Sequence, residues 1–127
     1  MVQIELYTEN LDEYADLFAR VFKFKLVEEK PGWRQLRRHG YFDIMLFSPS
    51  KNKIGESHWA VPEPGEGGKG IEVVICVLEL ANIRGEIRDR GFECSEVQYP
   101  PWGSVEFFFK LKEGYLIRVK QPPKFRE

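Results

Sequence analysis

Residues 70–92 read GIEVVICVLELANIRGEIRDRGF, and this stretch decides the fold because it restarts a pattern that opens the chain. Its first part, Ile71 to Leu78, has the apolar character of a buried strand. Leu80, Ile83 and Ile87 then recur at helical spacing, and a glycine at position 91 is typical of a helix end. The stretch therefore predicts a strand followed directly by a helix.

The beginning of the chain shows the same order of elements. Residues 2–7 alternate between apolar and polar side chains, which is the period of a half-buried strand. Asn10 is a suitable N-cap, with Glu13 three residues later as a capping-box partner. Apolar residues at helical spacing follow and predict a helix over residues 11–22.

The two halves of the chain correspond along their whole length. Ile4 and Leu6 match Val73 and Ile75, a shift of 69 residues, and Pro31-Gly32-Trp33 matches Pro100-Pro101-Trp102. Ordered matches of this kind indicate an internal repeat. Three strands are predicted after each helix, at 24–30, 33–39 and 41–48, and again at 92–98, 103–111 and 114–121. The sequence thus predicts an α+β fold with two tandem β-α-β-β-β modules, at 1–48 and 70–122, joined by a linker loop at 49–69.

Composition limits the possible partners. The 127 residues suit a single domain, and the net charge of −1 disfavours nucleic acid and anionic membranes. The basic side chains of Arg34, Arg37 and Arg38 are interpreted as a short solvated strand face. Two cysteines make no disulfide framework, and no apolar run is long enough to span a bilayer. We therefore expect a cytoplasmic protein with no nucleic-acid or membrane partner.

Paired β-α-β-β-β units resemble the vicinal oxygen chelate superfamily of glyoxalases, extradiol dioxygenases and bleomycin-resistance proteins. The segment Pro101-Trp102-Gly103, the Phe-rich strand after it and the turn Lys112-Glu113-Gly114-Tyr115 are similar to the bleomycin-resistance branch. This resemblance implies curved mixed sheets that enclose a cavity, helices on the outside, and a homodimer.

The resemblance also implies where catalytic members hold a divalent metal. The corresponding positions are Gln3, Glu72, Arg118 and Met45, or Ile44 in place of Met45 if the repeat is aligned on its Gly-Tyr pairs. A guanidinium stays protonated and has no lone pair to offer a metal. The hypothesis is therefore that Glu72 and Arg118 form an ion pair in place of a metal, with no cofactor.

Several aromatic side chains are candidates for ligand contact. Trp33 and Trp102 occupy equivalent repeat positions and either pack on a strand turn or stack on a flat ligand. Strand alternation puts Phe108 on the face opposite Phe107 and Phe109, and it puts Tyr7 with Gln3 and Glu5. The predicted ligand-binding residues are Gln3, Tyr7, Trp33, Met45, Glu72, Trp102, Phe108 and Arg118.

The remaining polar residues are weaker candidates for a functional role. His39 and His58 are interpreted as surface residues, and Asp43 becomes a metal ligand only if the register of its strand slips. No Gly-x-Ser-x-Gly turn and no Cys–His arrangement supports nucleophilic catalysis. The favoured function is metal-free binding of a small aromatic or polar molecule. The alternatives are a metal-dependent lyase, isomerase or dioxygenase, and an interaction subunit without a ligand.

Overall fold

The computed structural model describes residues 1–52 and 61–123, which form two compact units, residues 1–67 and 68–127. The boundary between the units falls inside the predicted linker at 49–69. His58 and Trp59 lie outside the described residues. Within the described residues no helix has the length and apolar character needed to cross a membrane.

The first unit is a four-stranded mixed sheet covered by one helical segment. Its strands are β1 (Val2–Tyr7), β2 (Lys25–Lys30), β3 (Trp33–Arg38) and β4 (Phe42–Phe47), in the order β1-β4-β3-β2. β1 runs parallel to β4, and the other neighbours are antiparallel. The helix α1 (Leu11–Asp16) lies against β3 and β4 and continues as a π-helical turn, Leu17–Val21.

The helical segment of the first unit matches the predicted span of 11–22, but its start differs from the prediction. The Asn10 side chain makes no capping hydrogen bond, so it does not supply its half of the expected capping box. The Asn10 backbone N–H donates to Thr8 Oγ1 at 2.9 Å. The hydroxyl two residues earlier therefore holds the turn before the helix.

The second unit has a three-stranded mixed sheet in the order β5-β7-β6, with β5 (Glu72–Cys76), β6 (Val105–Lys110) and β7 (Leu116–Gln121). β5 runs parallel to β7, and β6 is antiparallel to it. The helix α2 (Leu80–Asp89) lies against β6 and β7. It ends at Arg90 and Gly91, as predicted, with Gly91 at a φ of 92°.

The strand predicted at 92–98 was wrong. This segment pairs with β6 in isolated bridges, Cys94 to Phe109 and Gln98 to Glu106, and forms no continuous strand. Three residues lie between Cys94 and Gln98, whereas two lie between Glu106 and Phe109, so one extra residue interrupts the ladder. The Ser95 hydroxyl accepts from the Phe108 backbone N–H at 2.9 Å and takes part in the pairing that a continuous strand would supply.

Each sheet has one face closed by apolar side chains. In the first unit Leu36, Ile44 and Leu46 are fully buried, together with Leu17 and Phe18 of the helical segment. In the second unit the fully buried side chains are Ile87, Phe107, Phe109, Ile117 and Val119. Because strand side chains alternate, the opposite face of each sheet presents the polar and aromatic residues that the sequence singled out.

Candidate functional site

Half of the predicted site residues lie on or beside the polar face of the second sheet: Glu72, Trp102, Phe108 and Arg118. Cross-strand pairing places Val74, Arg118 and Phe108 in one row, and Cys76, Lys120 and Glu106 in the next. Phe108 is half-buried on this face, whereas Phe107 and Phe109 are buried in the core, so the predicted alternation is confirmed.

Glu72 and Arg118 form the predicted ion pair. Arg118 Nε donates to Glu72 Oε2 at 3.0 Å, and Nη2 donates to Oε1 at 2.9 Å. This fork-to-fork geometry is the strongest arrangement available to the two groups. Hydrogen bonding to Arg118 lowers the pKa of Glu72, and the same bonds raise the pKa of Arg118. The pair is confirmed as geometry, and its role in binding stays a prediction.

A second carboxylate lies behind Arg118. Arg118 Nη1 approaches Glu106 Oε1 at 3.5 Å, and the guanidinium sits 5.5 Å from the centre of the Phe108 ring. A charge drawn out of water needs such additional partners to offset its desolvation. Arg118 is therefore held between two carboxylates and an aromatic face.

Glu106 is the buried centre of this polar face, at 6% exposure. Its Oε2 accepts from the Ser104 hydroxyl at 2.6 Å and from the Trp102 indole Nε1 at 3.2 Å. The hydrogen bond from Ser104, the largest influence, and that from Trp102 outweigh burial and lower the pKa of Glu106. An ionised carboxylate therefore fixes the position of the Trp102 indole.

An open pocket of about 470 Å³ lies on this face. Trp102 stands at its edge with 66% of its surface exposed. A volume of this size suits a small organic molecule. The lining residues are Val74, Gln98, Pro100, Trp102, Glu106, Arg118 and Lys120.

The sequence did not reveal the roles of Glu106 and Lys120, which line this pocket, or of Ser104, which donates to Glu106. The spacing of Ser104 and Glu106 on either side of Val105 was the available signal, because residues two apart in a strand share a face. Gln98 could not be placed, since its segment was predicted as a regular strand.

The other predicted site residues share one face of the first sheet. Tyr7, Phe47 and Trp33 form one cross-strand row, and Met45 pairs with Glu5 in the next. Tyr7 meets Phe47 edge to face at 5.7 Å, and burial raises its pKa. Met45 lies on the face of Gln3, whereas its alternative, Ile44, is buried in the core. The repeat is therefore aligned correctly on Met45.

Gln3 is engaged by a buried carboxylate. Asp43 is fully buried and accepts from Gln3 Nε2 at 3.1 Å and Gln35 Nε2 at 2.7 Å. It also accepts from Arg37 Nε at 2.7 Å and Nη2 at 3.0 Å, and these bonds hold its pKa well below the ordinary value. The strand register has not slipped, and the oxygens of Asp43 are occupied by donors of its own sheet.

The basic strand residues are not a solvated face. Arg37 binds Asp43, and Arg34, on the opposite face of β3, pairs with Asp12 at 3.0 Å and Glu29 at 3.2 Å. Only 12% of the Arg34 side chain is exposed. The charges of Arg34 and Arg37 are therefore neutralised within the first unit.

The residues at the metal positions do not fit a metal. Both oxygens of Glu72 accept from Arg118, and Arg118 offers only N–H groups. Gln3 directs its amide nitrogen at Asp43, and Met45 supplies a soft thioether unsuited to a hard divalent ion. Across residues 1–52 and 61–123, no cluster of three His, Cys, Asp or Glu side chains is arranged to hold a metal.

No protein-family model matches the chain, and no curated protein matches its sequence. Solved structures do match. A glyoxalase/bleomycin resistance protein/dioxygenase from Nocardioides has a TM-score of 0.71 at 17% identity, over 99% of this chain and 85% of that one. Lactoylglutathione lyase from Agrobacterium tumefaciens has a TM-score of 0.64 at 17% identity, over 95% and 92%.

A bleomycin-binding protein complexed with bleomycin is also similar, with a TM-score of 0.63 at 17% identity over 95% of this chain and 97% of that one. The three proteins include a lyase and a ligand-binding protein, so the shared architecture does not choose between these functions. The chain therefore has the fold of the vicinal oxygen chelate proteins, the group that includes the glyoxalases and the bleomycin-resistance proteins.

Proposed function

We propose that this protein binds a small organic molecule with a flat aromatic group, without a metal, in the pocket of the second unit. The observation that carries the proposal is Trp102, whose indole is two-thirds exposed and yet tethered to the buried Glu106 at the pocket edge. An exposed aromatic ring held by a hydrogen bond beside a pocket gives a ligand contact area at a reduced cost in conformational entropy.

The charges in the pocket support binding over metal chemistry. The resemblance implies that Arg118 stands at a metal-ligand position, and its bidentate pair with Glu72 uses the carboxylate that a metal would need. The oxygens of Glu106 likewise accept hydrogen bonds from Ser104 and Trp102 and form an ion pair with Arg118. The proposal includes the homodimer and the cytoplasmic location that were expected from the sequence.

The first test is a thermal-denaturation screen of chelated protein against Ni²⁺, Zn²⁺ and Mn²⁺ and against naphthalene-based compounds. A ligand of the native state raises the midpoint by mass action, by about 2.7 kcal/mol of stability at a hundred times Kd. We expect a rise with at least one aromatic compound and none with the metals.

Calorimetric titration then locates the site with a matched pair of variants. Trp102→Leu removes the ring at the pocket edge and should weaken binding by about tenfold, the equivalent of about 1.4 kcal/mol. Tyr99→Leu removes another exposed aromatic side chain, which is outside the pocket lining, and should bind as the parent does. A midpoint raised by metal alone would refute the proposal in favour of a metal-dependent lyase, isomerase or dioxygenase.

A further inference from the structure

The pocket of the second unit has more free hydrogen-bond donors than free acceptors. Its one carboxylate, Glu106, is 6% exposed, and both of its oxygens already face donors. Ser104 and Trp102 share Oε2, while Arg118 approaches Oε1. A cationic ligand would have to displace one of these contacts to reach a negative charge.

Lys120 is the cation of the lining whose ammonium group is not held in an ion pair or hydrogen bond within the described residues. It is the cross-strand neighbour of Glu106, lines the pocket, and its charge helps to lower the pKa of Glu106. Arg118, in contrast, is paired with Glu72 and with Glu106. Both carboxylates near the pocket are thus in contact with Arg118, whereas the N–H groups of the Lys120 ammonium are available to a ligand.

The apolar part of the pocket lies beside this ammonium group. Val74 is 50% exposed on the same sheet face, and Pro100 and Trp102 complete an apolar wall. Gln98 is paired with Glu106 across the sheet from Lys120 and adds an amide that can donate. The lining therefore combines apolar surface with two donors, Gln98 and Lys120, on either side of Glu106.

We propose that the ligand of this pocket is an aromatic carboxylate, with its ring against Trp102 and its acid group on Lys120. This inference rests on the proposed function and names the ligand class. A carboxylate accepts from an ammonium through a charge-assisted hydrogen bond, while the apolar wall takes up the ring. The partly open site exposes Lys120 to water, so the gain from its charge is moderate.

The test uses three probes that share one ring system, naphthalene-2-carboxylate, 2-naphthylmethanol and 2-naphthylmethylamine. Calorimetric titration at pH 7 should show the carboxylate binding about fivefold to tenfold more tightly than the other two. Its affinity should fall as salt is raised from low to physiological concentration, because an exposed pair is screened, while that of the alcohol should not.

Two lysine variants locate the acid group. Lys120→Met should lower the affinity for the carboxylate about fivefold and leave the alcohol unchanged, which also shows that the pocket is intact. Lys110→Met removes an exposed lysine of β6 that is not part of the lining and should change neither affinity. Tighter binding of the amine or the alcohol would overturn the inference but keep the proposed function. No binding by any of the three would count against both.

Discussion

Asp43 gives the sharpest stability prediction in this protein. It is fully buried and accepts four hydrogen bonds, from Gln3, Gln35 and both forked nitrogens of Arg37. Asp43→Asn keeps the shape but replaces one oxygen with an amino group. In its best orientation the amide keeps the three bonds at the Oδ2 position and turns its NH₂ toward Arg37 Nε.

The loss of stability depends on the charge of Arg37, which Asp43→Asn leaves without its partner. Removing one partner of a buried charge pair costs about 3–5 kcal/mol when the other charge stays buried. The Arg37 side chain is 35% exposed and can regain water, so we expect about 2–3 kcal/mol for Asp43→Asn. For a chain of 127 residues this corresponds to a fall in melting temperature of roughly 6–15 °C.

The pH dependence adds an independent check. Arg37 first, then Gln35 and Gln3, lower the pKa of Asp43 from its ordinary value of 3.8. A carboxylate with a lowered folded pKa stabilises the fold above its unfolded pKa, and this contribution is lost as the pH falls toward the folded value. The difference in the free energy of unfolding between the parent and Asp43→Asn should therefore be largest at pH 7 and should decrease from about pH 5 downward.

Circular-dichroism melts and urea titrations at pH 7, 5 and 3 measure both effects. Asp12→Asn is the matched control, because Asp12 also pairs with an arginine but its side chain is 91% exposed. We expect the control to change the melting temperature by no more than about 2 °C. Equal melting temperatures for Asp43→Asn and the parent at pH 7, or a gap that widens in acid, would refute the reasoning.

Two further predictions concern the second unit. A Cβ on Gly68 would lie 2.0 Å from the Gly114 carbonyl oxygen, so Gly68→Ala should lower stability by about 1–3 kcal/mol in urea titrations. Gly85 lies in α2 with open space around it, so Gly85→Ala should raise stability by about 0.5–1 kcal/mol. Equal effects of the two variants would contradict the close approach of Gly68 to the Gly114 carbonyl oxygen. Cys76 is exposed, whereas Cys94 is half-buried with its thiol pKa raised by burial, so Ellman's reagent should label Cys76 first. If Cys76→Ser still shows a fast reaction with Ellman's reagent, the assignment of that reaction to Cys76 is wrong.

The sequence predicted the helices and strands correctly where the local spacing of apolar residues decides the structure. The bounds of α2 followed from apolar spacing and the terminal Gly91, and the alternation of Phe107, Phe108 and Phe109 followed from strand geometry. The pair of Glu72 and Arg118 followed from the resemblance to the superfamily and its metal positions, together with the chemistry of the guanidinium. The helix and strand inferences used only short-range periodicity, whereas the ion pair also needed that resemblance.

Other features depended on pairing between distant segments. The segment at 92–98 has strand-like composition, but one extra residue between its two bridges to β6 prevents a continuous ladder. Arg34 and Arg37 looked like solvated cations, and each instead meets a carboxylate from elsewhere in the first unit. Amino-acid composition does not determine which residues of two strands lie opposite each other. Neither the interrupted pairing of 92–98 nor these ion pairs could therefore be predicted from the sequence alone.

By itself, the sequence determined the α+β class, the repeat and which residues share a strand face, because side-chain alternation and helical spacing are local properties of the backbone. Only the tertiary structure decided that Asp43 is saturated by its neighbours and that Glu106 links Trp102 to Arg118. Burial and hydrogen-bond partners arise when strands far apart in the chain are brought side by side. The role of a polar side chain is set by those neighbours.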